Sequence, residues 1–312
     1  MPNPSWQPVL WTLGTRGSPL ALAQAKETAG LLAHAHGVDG ARIAIRIIKT
    51  SGDMIQDRAL SEAGGKGLFT KELDEALLRR DIDAAVHSAK DLPTVLPDGI
   101  IIGGYLERED VRDVLIASKA TTLAGLPQGG TVGTASLRRA AQVRRLRPDL
   151  KTALLRGNVE TRLRKVEAGE YDATLLALAG MKRLGLASHA TAILDIHDFL
   201  PACGQGAVAI TLRESDKATA AAFTPIYHPT TGHALAAERA FLGILDGSCR
   251  TPIAGLGVLA GDVLHFRGLV LAPDGSDVFE IEMSGPVGNA AAIGRAAGEN
   301  ILARIPPGFM KT

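Results

Sequence analysis

Short β-branched runs alternate with helical segments along most of this 312-residue chain, and that alternation limits its fold more than any other feature. Val9–Leu13 reads as a strand. Ser18-Pro19 then opens a helix to about His34, because a Ser oxygen caps free amides and Pro suits the first helical position. Arg42–Lys49 alternates as a strand, Thr70–Arg80 is helical, and Ile82–Val86, Ile100–Gly103 and Val114–Ala117 are strands. A second cycle starts at strand Thr131–Thr134. Ser136 caps a helix to about Leu146, Thr152–Leu155 is a strand, and Asn158 caps a helix that stops at Gly169. Asp172–Ala177 and Val208–Leu212 complete the pattern. Such units build α/β layers, with mostly parallel sheets expected.

The C-terminal part departs from this. His233–Leu245 is helical, Ala254–Ala260, Val263–Leu271 and Val278–Met283 are strands, Ala272–Gly275 is a hairpin turn, and a last helix covers about Gly288–Arg304. This is a small α+β domain, with Pro229–Gly232 read as the linker before it. The length itself calls for more than one core. Cys203 and Cys249 are the two cysteines and neither belongs to a CxxC pair, which leaves no basis for a disulfide framework or a cysteine zinc site. No metal site is expected. The N-terminus lacks a basic region followed by a long apolar run, and no segment is apolar enough to span a bilayer. A cytoplasmic protein is expected, and nothing demands more than a monomer.

Net charge is only +1, but it is unevenly spread. Between Arg138 and Lys165 ten basic residues face only Asp149 and Glu160, whereas Ser51–Asp113 holds fourteen acidic and eight basic residues. Arg138 and Arg139 fall in the first turn after the Ser136 cap, and Arg156 precedes the Asn158 cap. Helix N-termini present free amides and a positive dipole end, and guanidinium pairs well with carboxylate or phosphate. Those three arginines read as an anion site. Arg144, Arg145, Arg147, Arg164 and Lys165 read as solvated helix faces. Aromatics at 4% are too sparse for a base-stacking nucleic-acid platform.

Gly64-Gly65-Lys66-Gly67 lacks the spacing of a phosphate-binding P-loop and reads as a mobile loop with a cationic tip. No GxGxxG opens the first unit, and GxSxG and HExxH are absent. His87, Ser88, Lys90 and Asp91 cluster at the C-terminal end of a strand, where α/β sheets place ligand sites. Lys90 and Asp91 admit two readings, a surface ion pair or a catalytic carboxylate held beside a lysine. Cys249 lies in a Gly- and Pro-marked loop and is either a small buried hydrophobe or a thiol activated by Arg250. Cys203 is taken as structural.

Taken in order, several segments resemble the porphobilinogen deaminase (hydroxymethylbilane synthase) family. They are Thr15-Arg16-Gly17-Ser18-Pro19-Leu20-Ala21, Gly64-Gly65-Lys66-Gly67-Leu68-Phe69, Val86-His87-Ser88-Ala89-Lys90-Asp91 and Val132-Gly133-Thr134-Ala135-Ser136-Leu137-Arg138-Arg139. Leu155-Arg156-Gly157-Asn158, Leu200–Ala207 and the Cys249 loop continue the series. The resemblance implies two α/β domains like the lobes of type II periplasmic binding proteins, around a cleft, plus a small C-terminal α+β domain. It divides the chain into 8–106 with 207–225, then 107–206, then 229–312.

The resemblance further implies a dipyrromethane cofactor held through a thioether on Cys249. Four porphobilinogen units add to it head to tail with loss of ammonia, and linear hydroxymethylbilane is released by hydrolysis. Asp91 is then the acid/base group. Implied cofactor contacts are Ser88, Lys90, Asp91, Thr134, Ser136, Arg138, Arg139, Arg162, Gln205 and Gly206. Implied substrate contacts are Arg16, Ser18, Gln24, Lys66, Phe69, Arg156, Arg162 and Arg183, with a mobile loop from about Ser51 to Gly67. Ser248, Arg250, Glu62 and Val111 depart from the family's usual residues. The rival readings are a two-lobed protein that binds an anionic ligand without turnover, and a nucleic-acid binder. The first has no use for Cys249 or Asp91, and the acidic lobe opposes the second.

Overall fold

The computed structural model describes residues 8–54, 67–245, 252–306 and 309. The first elements are β1 (Trp11–Thr15), α1 (Pro19–His36), β2 (Ile43–Ile47), α2 (Ser51–Met54), α3 (Lys71–Leu78), β3 (Ala84–Ser88) and β4 (Ile100–Tyr105). Next come β5 (Asp113–Ala117), β6 (Thr131–Gly133), α4 (Leu137–Leu146), β7 (Lys151–Ala153), α5 (Val159–Glu167), β8 (Ala173–Ala177), α6 (Leu178–Arg183) and β9 (Ala192–Ile193). The chain ends with β10 (Val208–Arg213), α7 (Lys217–Phe223), α8 (Pro229–Ile244), β11 (Ile253–Ala260), β12 (Val263–Leu271), β13 (Val278–Pro286) and α9 (Ala290–Arg304).

Three sheets result, ordered β2-β1-β3-β10-β4, β7-β6-β8-β5-β9 and β11-β12-β13. In the first, β1 runs parallel to β2 and β3, but β10 is antiparallel to both β3 and β4. In the second, β6 is parallel to β7 and β8, while β5 is antiparallel to β8 and β9. The sheets are therefore mixed, not mostly parallel. The reason is connectivity: β5 and β10 are the strands by which the chain enters each sheet from the other, and both enter against the local direction.

Each layer has its own core. Leu13, Leu32, Val86, Val208 and Phe223 pack between the first sheet and its helices, and Leu115, Val132, Val143, Leu175 and Phe199 do so in the second. Phe241 and Phe266, with ring centroids 5.1 Å apart, centre the third. The predicted caps form: Ser18, Ser136 and Asn158 accept backbone N–H groups of Ala21, Arg139 and Thr161. Pro229–Gly232 is not a linker but the first turn of α8, because Pro229 suits that position and His228 Nδ1 accepts the Thr231 N–H at 3.3 Å. α6 escapes the sequence reading because it follows β8 directly, with Ala177 at its cap and no side-chain signal.

Where the three layers meet, Glu238 of α8 is fully buried. It accepts two hydrogen bonds from Arg108, at 2.6 and 3.0 Å, and the backbone N–H groups of Gly204 at 2.6 Å and Gly257 at 2.8 Å. One carboxylate thus ties the β4–β5 crossing, the segment leading to β10, and β11. The basic residues at the end of α4 also find partners, although Arg145 remains exposed as expected. Arg144 donates to Pro273 O at 2.7 Å, Arg145 pairs with Glu280 at 2.8 Å, and Arg147 pairs with Asp149 while donating to the Ala124 carbonyl. Glu238→Ala would strand a buried guanidinium and should cost about 3–5 kcal/mol in urea unfolding; a loss near zero would show that the junction is held by other contacts.

Candidate active site

Asp91 closes a short 3₁₀ turn, Ala89–Asp91, that follows β3. Its Oδ2 lies 3.9 Å from Arg16 Nη1, and the side chain is 36% exposed. Arg16 follows β1, the neighbour of β3, and its guanidinium stacks on the Phe69 ring 4.0 Å from the centroid. Buried Gln24 of α1 donates to Ser88 Oγ at 3.0 Å. Arg16, Ser18, Gln24, Phe69, Ser88 and Asp91 line one small cavity of about 60 Å³. His87 also reaches it, but its Nε2 meets Thr211 Oγ1 at 3.1 Å. Burial, then the Arg16 charge, pushes the His87 pKa down to about 4, so at pH 7 it is a neutral tie between β3 and β10.

Arg138 and Arg139 open α4 across from this turn, and both are more than nine-tenths buried. They converge on Asp113, which starts β5 and is fully buried. Arg139 donates to Asp113 Oδ1 through Nε at 3.0 Å and Nη2 at 2.7 Å, and through Nη1 to Leu175 O at 2.9 Å. Arg138 Nη1 lies 2.8 Å from Asp113 Oδ2 and donates to Leu200 O at 2.8 Å. Burial alone would raise the Asp113 pKa; the two arginine charges and their hydrogen bonds overturn that and hold it well below the usual carboxylate range. The pair expected to face an incoming anion already grips a carboxylate of the chain. Arg138 Nε remains buried without a hydrogen-bond partner.

Gln205, fully buried, joins the two sides. Its Nε2 donates to Val111 O at 2.8 Å and to Asp113 Oδ1 at 3.1 Å, and its Oε1 accepts from Lys90 Nζ at 3.4 Å. Its neighbours must be glycine. Gly204 has φ +76° and a Cβ there would sit 2.9 Å from Lys90 N; Gly206 has φ +87° and its Cβ would lie 2.4 Å from Glu109 O. The segment threads between the β4–β5 crossing and the Asp91 turn, which explains the Gly-Gln-Gly signature.

Cations outnumber acids here. Lys90 reaches solvent, yet the surrounding protein and then the Arg139 charge draw its pKa down to about 8, against the pull of Asp91 and Asp113. Arg162 of α5 donates through Nε to Gly157 O at 3.0 Å, and burial followed by the charges of Arg139 and Arg156 lowers its pKa to about 10. Thr134 Oγ1 accepts the Ser136 N–H at 3.1 Å, so these two hydroxyls shape the turn that aims α4. Arg183 stands apart from the Asp91 cavity. It pairs with Glu27 of α1 at 2.8 Å and donates to Gly206 O at 3.1 Å, bracing one lobe on the other. Lys66 and Cys249, with Glu62, Ser248 and Arg250, lie outside the described residues, as does most of the expected mobile loop. Asp113, Arg108 and Glu238 were not singled out by sequence reasoning; an acid opening an apolar strand beside an arginine-rich stretch is the signal that marks Asp113.

Two family models match the chain, the dipyrromethane cofactor binding domain of porphobilinogen deaminase over residues 11–221 and its C-terminal domain over 233–303. The porphobilinogen deaminase of Nitrobacter winogradskyi is 58% identical over 296 residues, covering 95% of this chain and 94% of that protein. That of Nitrobacter hamburgensis is 57% identical with the same coverage. Among solved structures, a Salmonella typhimurium periplasmic binding protein overlays with a TM-score of 0.38 at 10% identity, covering 71% of this chain and 93% of that one; this is a coarse likeness and carries no argument. The electrostatics of the cleft are directly testable. Filling it with a polycarboxylate should move the Lys90 pKa from about 8 back toward its ordinary range, as read by NMR of labelled lysine. An unmoved titration would take Lys90 out of any anion site.

Proposed function

The chain belongs to the porphobilinogen deaminase family, and from that membership we infer how its residues divide the work. The enzyme is a transferase that condenses porphobilinogen units into linear hydroxymethylbilane on a dipyrromethane cofactor. When bound, that cofactor supplies the pyrrole end to which units are added. The residues present fit such a group. Pyrrole rings bearing acetate and propionate form a polyanion, and the cleft holds cations whose pKa values are lowered by burial first and by neighbouring arginine charge second. The buried Arg138 Nε without a partner is a donor awaiting an acceptor.

The observation that carries the assignment of roles is this excess of positive charge at the seam, beside one half-exposed carboxylate. Lys90, Arg138, Arg139 and Arg162 would hold cofactor carboxylates, with Ser88, Asp91, Thr134, Ser136, Gln205 and Gly206 completing that wall. Arg16, Ser18, Gln24, Phe69, Arg156 and Arg162 would hold the incoming ring, with Lys66 and Arg183 assigned to it by family likeness alone. Asp91 serves as acid/base group. Protonated, it gives a proton to the departing amine; ionised, it steadies positive charge on the pyrrole. Arg16 at 3.9 Å anchors the carboxylate without sealing it from solvent.

On this reading the chain divides into 8–106 with 207–225, 107–206, and 229–312, the last carrying the cofactor on Cys249. The enzyme works as a cytoplasmic monomer without a nucleic-acid or membrane partner. No helix among the described residues is long and apolar enough to cross a membrane. Intact mass of the active protein should exceed the sequence mass by two linked pyrroles, and Cys249→Ser should abolish the excess; an unmodified chain with full activity would refute the attachment. Asp91→Ala should lower turnover by about 100-fold or more while leaving the melting temperature in place, as expected for loss of a general acid/base. Near-normal turnover in that variant would remove Asp91 from the reaction.

A further inference from the structure

The Asp91 turn has little internal structure to hold it. Its internal backbone bond is Leu92 N–H to Ala89 O at 3.3 Å, its first residue Ala89 donates outward to Ala207 O at 3.0 Å, and proline follows at position 93. The start of the turn is thereby tied to its own sheet, while its exit is held from the C-terminal layer. Arg239 of α8 donates through Nη2 to two consecutive carbonyls just beyond it, Pro93 O at 2.8 Å and Thr94 O at 3.0 Å. Neither carbonyl belongs to a strand, and Pro93 has no N–H of its own to offer the backbone.

The preceding residue on α8, Glu238, grips the other flank. It accepts the Gly204 N–H at 2.6 Å, and Gly204 packs so closely on Ala89 and Lys90 that a Cβ would sit 2.9 Å from Lys90 N. Between these two points Ala89 and Leu92 bury their side chains with Ala234 and Leu235 of the same helix. Successive residues on a helix are rotated by about 100°, so Glu238 and Arg239 can reach opposite flanks of one turn while a single apolar stripe fills the middle. The helix that does this leads directly, five residues after Ile244, to Cys249.

We propose that Arg239 is a positioning residue for the reaction: by clamping the carbonyls of Pro93 and Thr94 it holds the Asp91 carboxylate at a set place beside Arg16 in the cleft. This rests on the assignment of Asp91 as acid/base group. Arg239 is absent from the wall of the Asp91 cavity, so it acts through the turn. Losing its donors lets the turn drift; a displacement of about 1 Å at a catalytic group is enough to cost about 100-fold in rate.

The test uses the full-length, cofactor-loaded enzyme carrying Arg239→Met, which keeps an apolar stem of similar length but donates no hydrogen bond. Turnover should fall about 10- to 100-fold with KM for porphobilinogen within about twofold of wild type, intact mass still showing the cofactor and melting temperature nearly unchanged. Arg239→Lys, able to serve one carbonyl at a time, should recover part of the rate. Wild-type turnover in Arg239→Met overturns the proposal. So does a loss of rate accompanied by loss of cofactor or of the folded state, since that marks a structural strut. Asp91→Asn measured alongside separates the two levels. If it too is fully active, the assignment of Asp91 has failed; if it alone is impaired, only the role of Arg239 has.

Discussion

The burial of the Asp113 carboxylate between two guanidiniums is the constraint on which the rest of the cleft depends. An isolated carboxylate moved from water to a dry interior would cost tens of kcal/mol, so the second lobe closes over Asp113 only with Arg138 and Arg139 in place. Those arginines head α4, and Ser136 and Thr134 must cap and turn that helix so that both side chains point inward. Gln205 must then be buried to serve Asp113, which draws Gly204 against the Asp91 turn and Gly206 against the β4–β5 crossing so closely that only glycine fits at either end. Gln205 O in turn accepts from Arg108 Nε at 2.9 Å, and Arg108 carries the chain of contacts to Glu238. Two buried acids thus set the geometry of a basic site.

The basic side of the balance is left unfinished by design of the fold. Asp113 answers Arg138 and Arg139, while Lys90 and Arg162 add charge beside them, and burial followed by the Arg139 charge lowers the pKa of both. A polycarboxylate entering here relieves repulsion as well as forming hydrogen bonds. Binding and folding are therefore linked: whatever binds the folded cleft and not the unfolded chain stabilises the protein by mass action. The whole-chain charge of +1 conceals this because the acidic stretch before Asp113 lies mostly on the other lobe.

Much of this was legible in the sequence, and the reasons for the gaps are physical. Caps at Ser18, Ser136 and Asn158 announce themselves because they are local chemistry, and so did the strands, whose periodicity needs no partner. The mixed strand directions were not legible, since they follow from where the chain crosses between sheets and not from any residue in β5 or β10. Pro229–Gly232 was read as a linker when Pro229 starts a helix, a distinction that depends on the His228 side chain behind it. Arg144, Arg145 and Arg147 looked like solvent-facing charge because their partners, Pro273, Glu280 and the Ala124 carbonyl, lie on other parts of the chain. Arg138 and Arg139 were recognised as an anion site, but the first anion they meet is Asp113, 25 and 26 positions away in sequence.

The contacts between layers also differ in strength. Breaking a buried, hydrogen-bonded ion pair costs about 3–5 kcal/mol. Of the two such groups, Glu238–Arg108 ties α8 to the β4–β5 crossing, while Asp113–Arg138–Arg139 lies within the second lobe. On the side of α1 and α6 the lobes meet through Arg183–Glu27, whose carboxylate is 37% exposed, and nearby Lys182–Glu109 is also partly exposed. Pairs of that kind contribute about 0–1 kcal/mol and exchange readily with water. The contact at the Arg183 side is therefore weaker than the buried junction at α8 that borders the Asp91 turn.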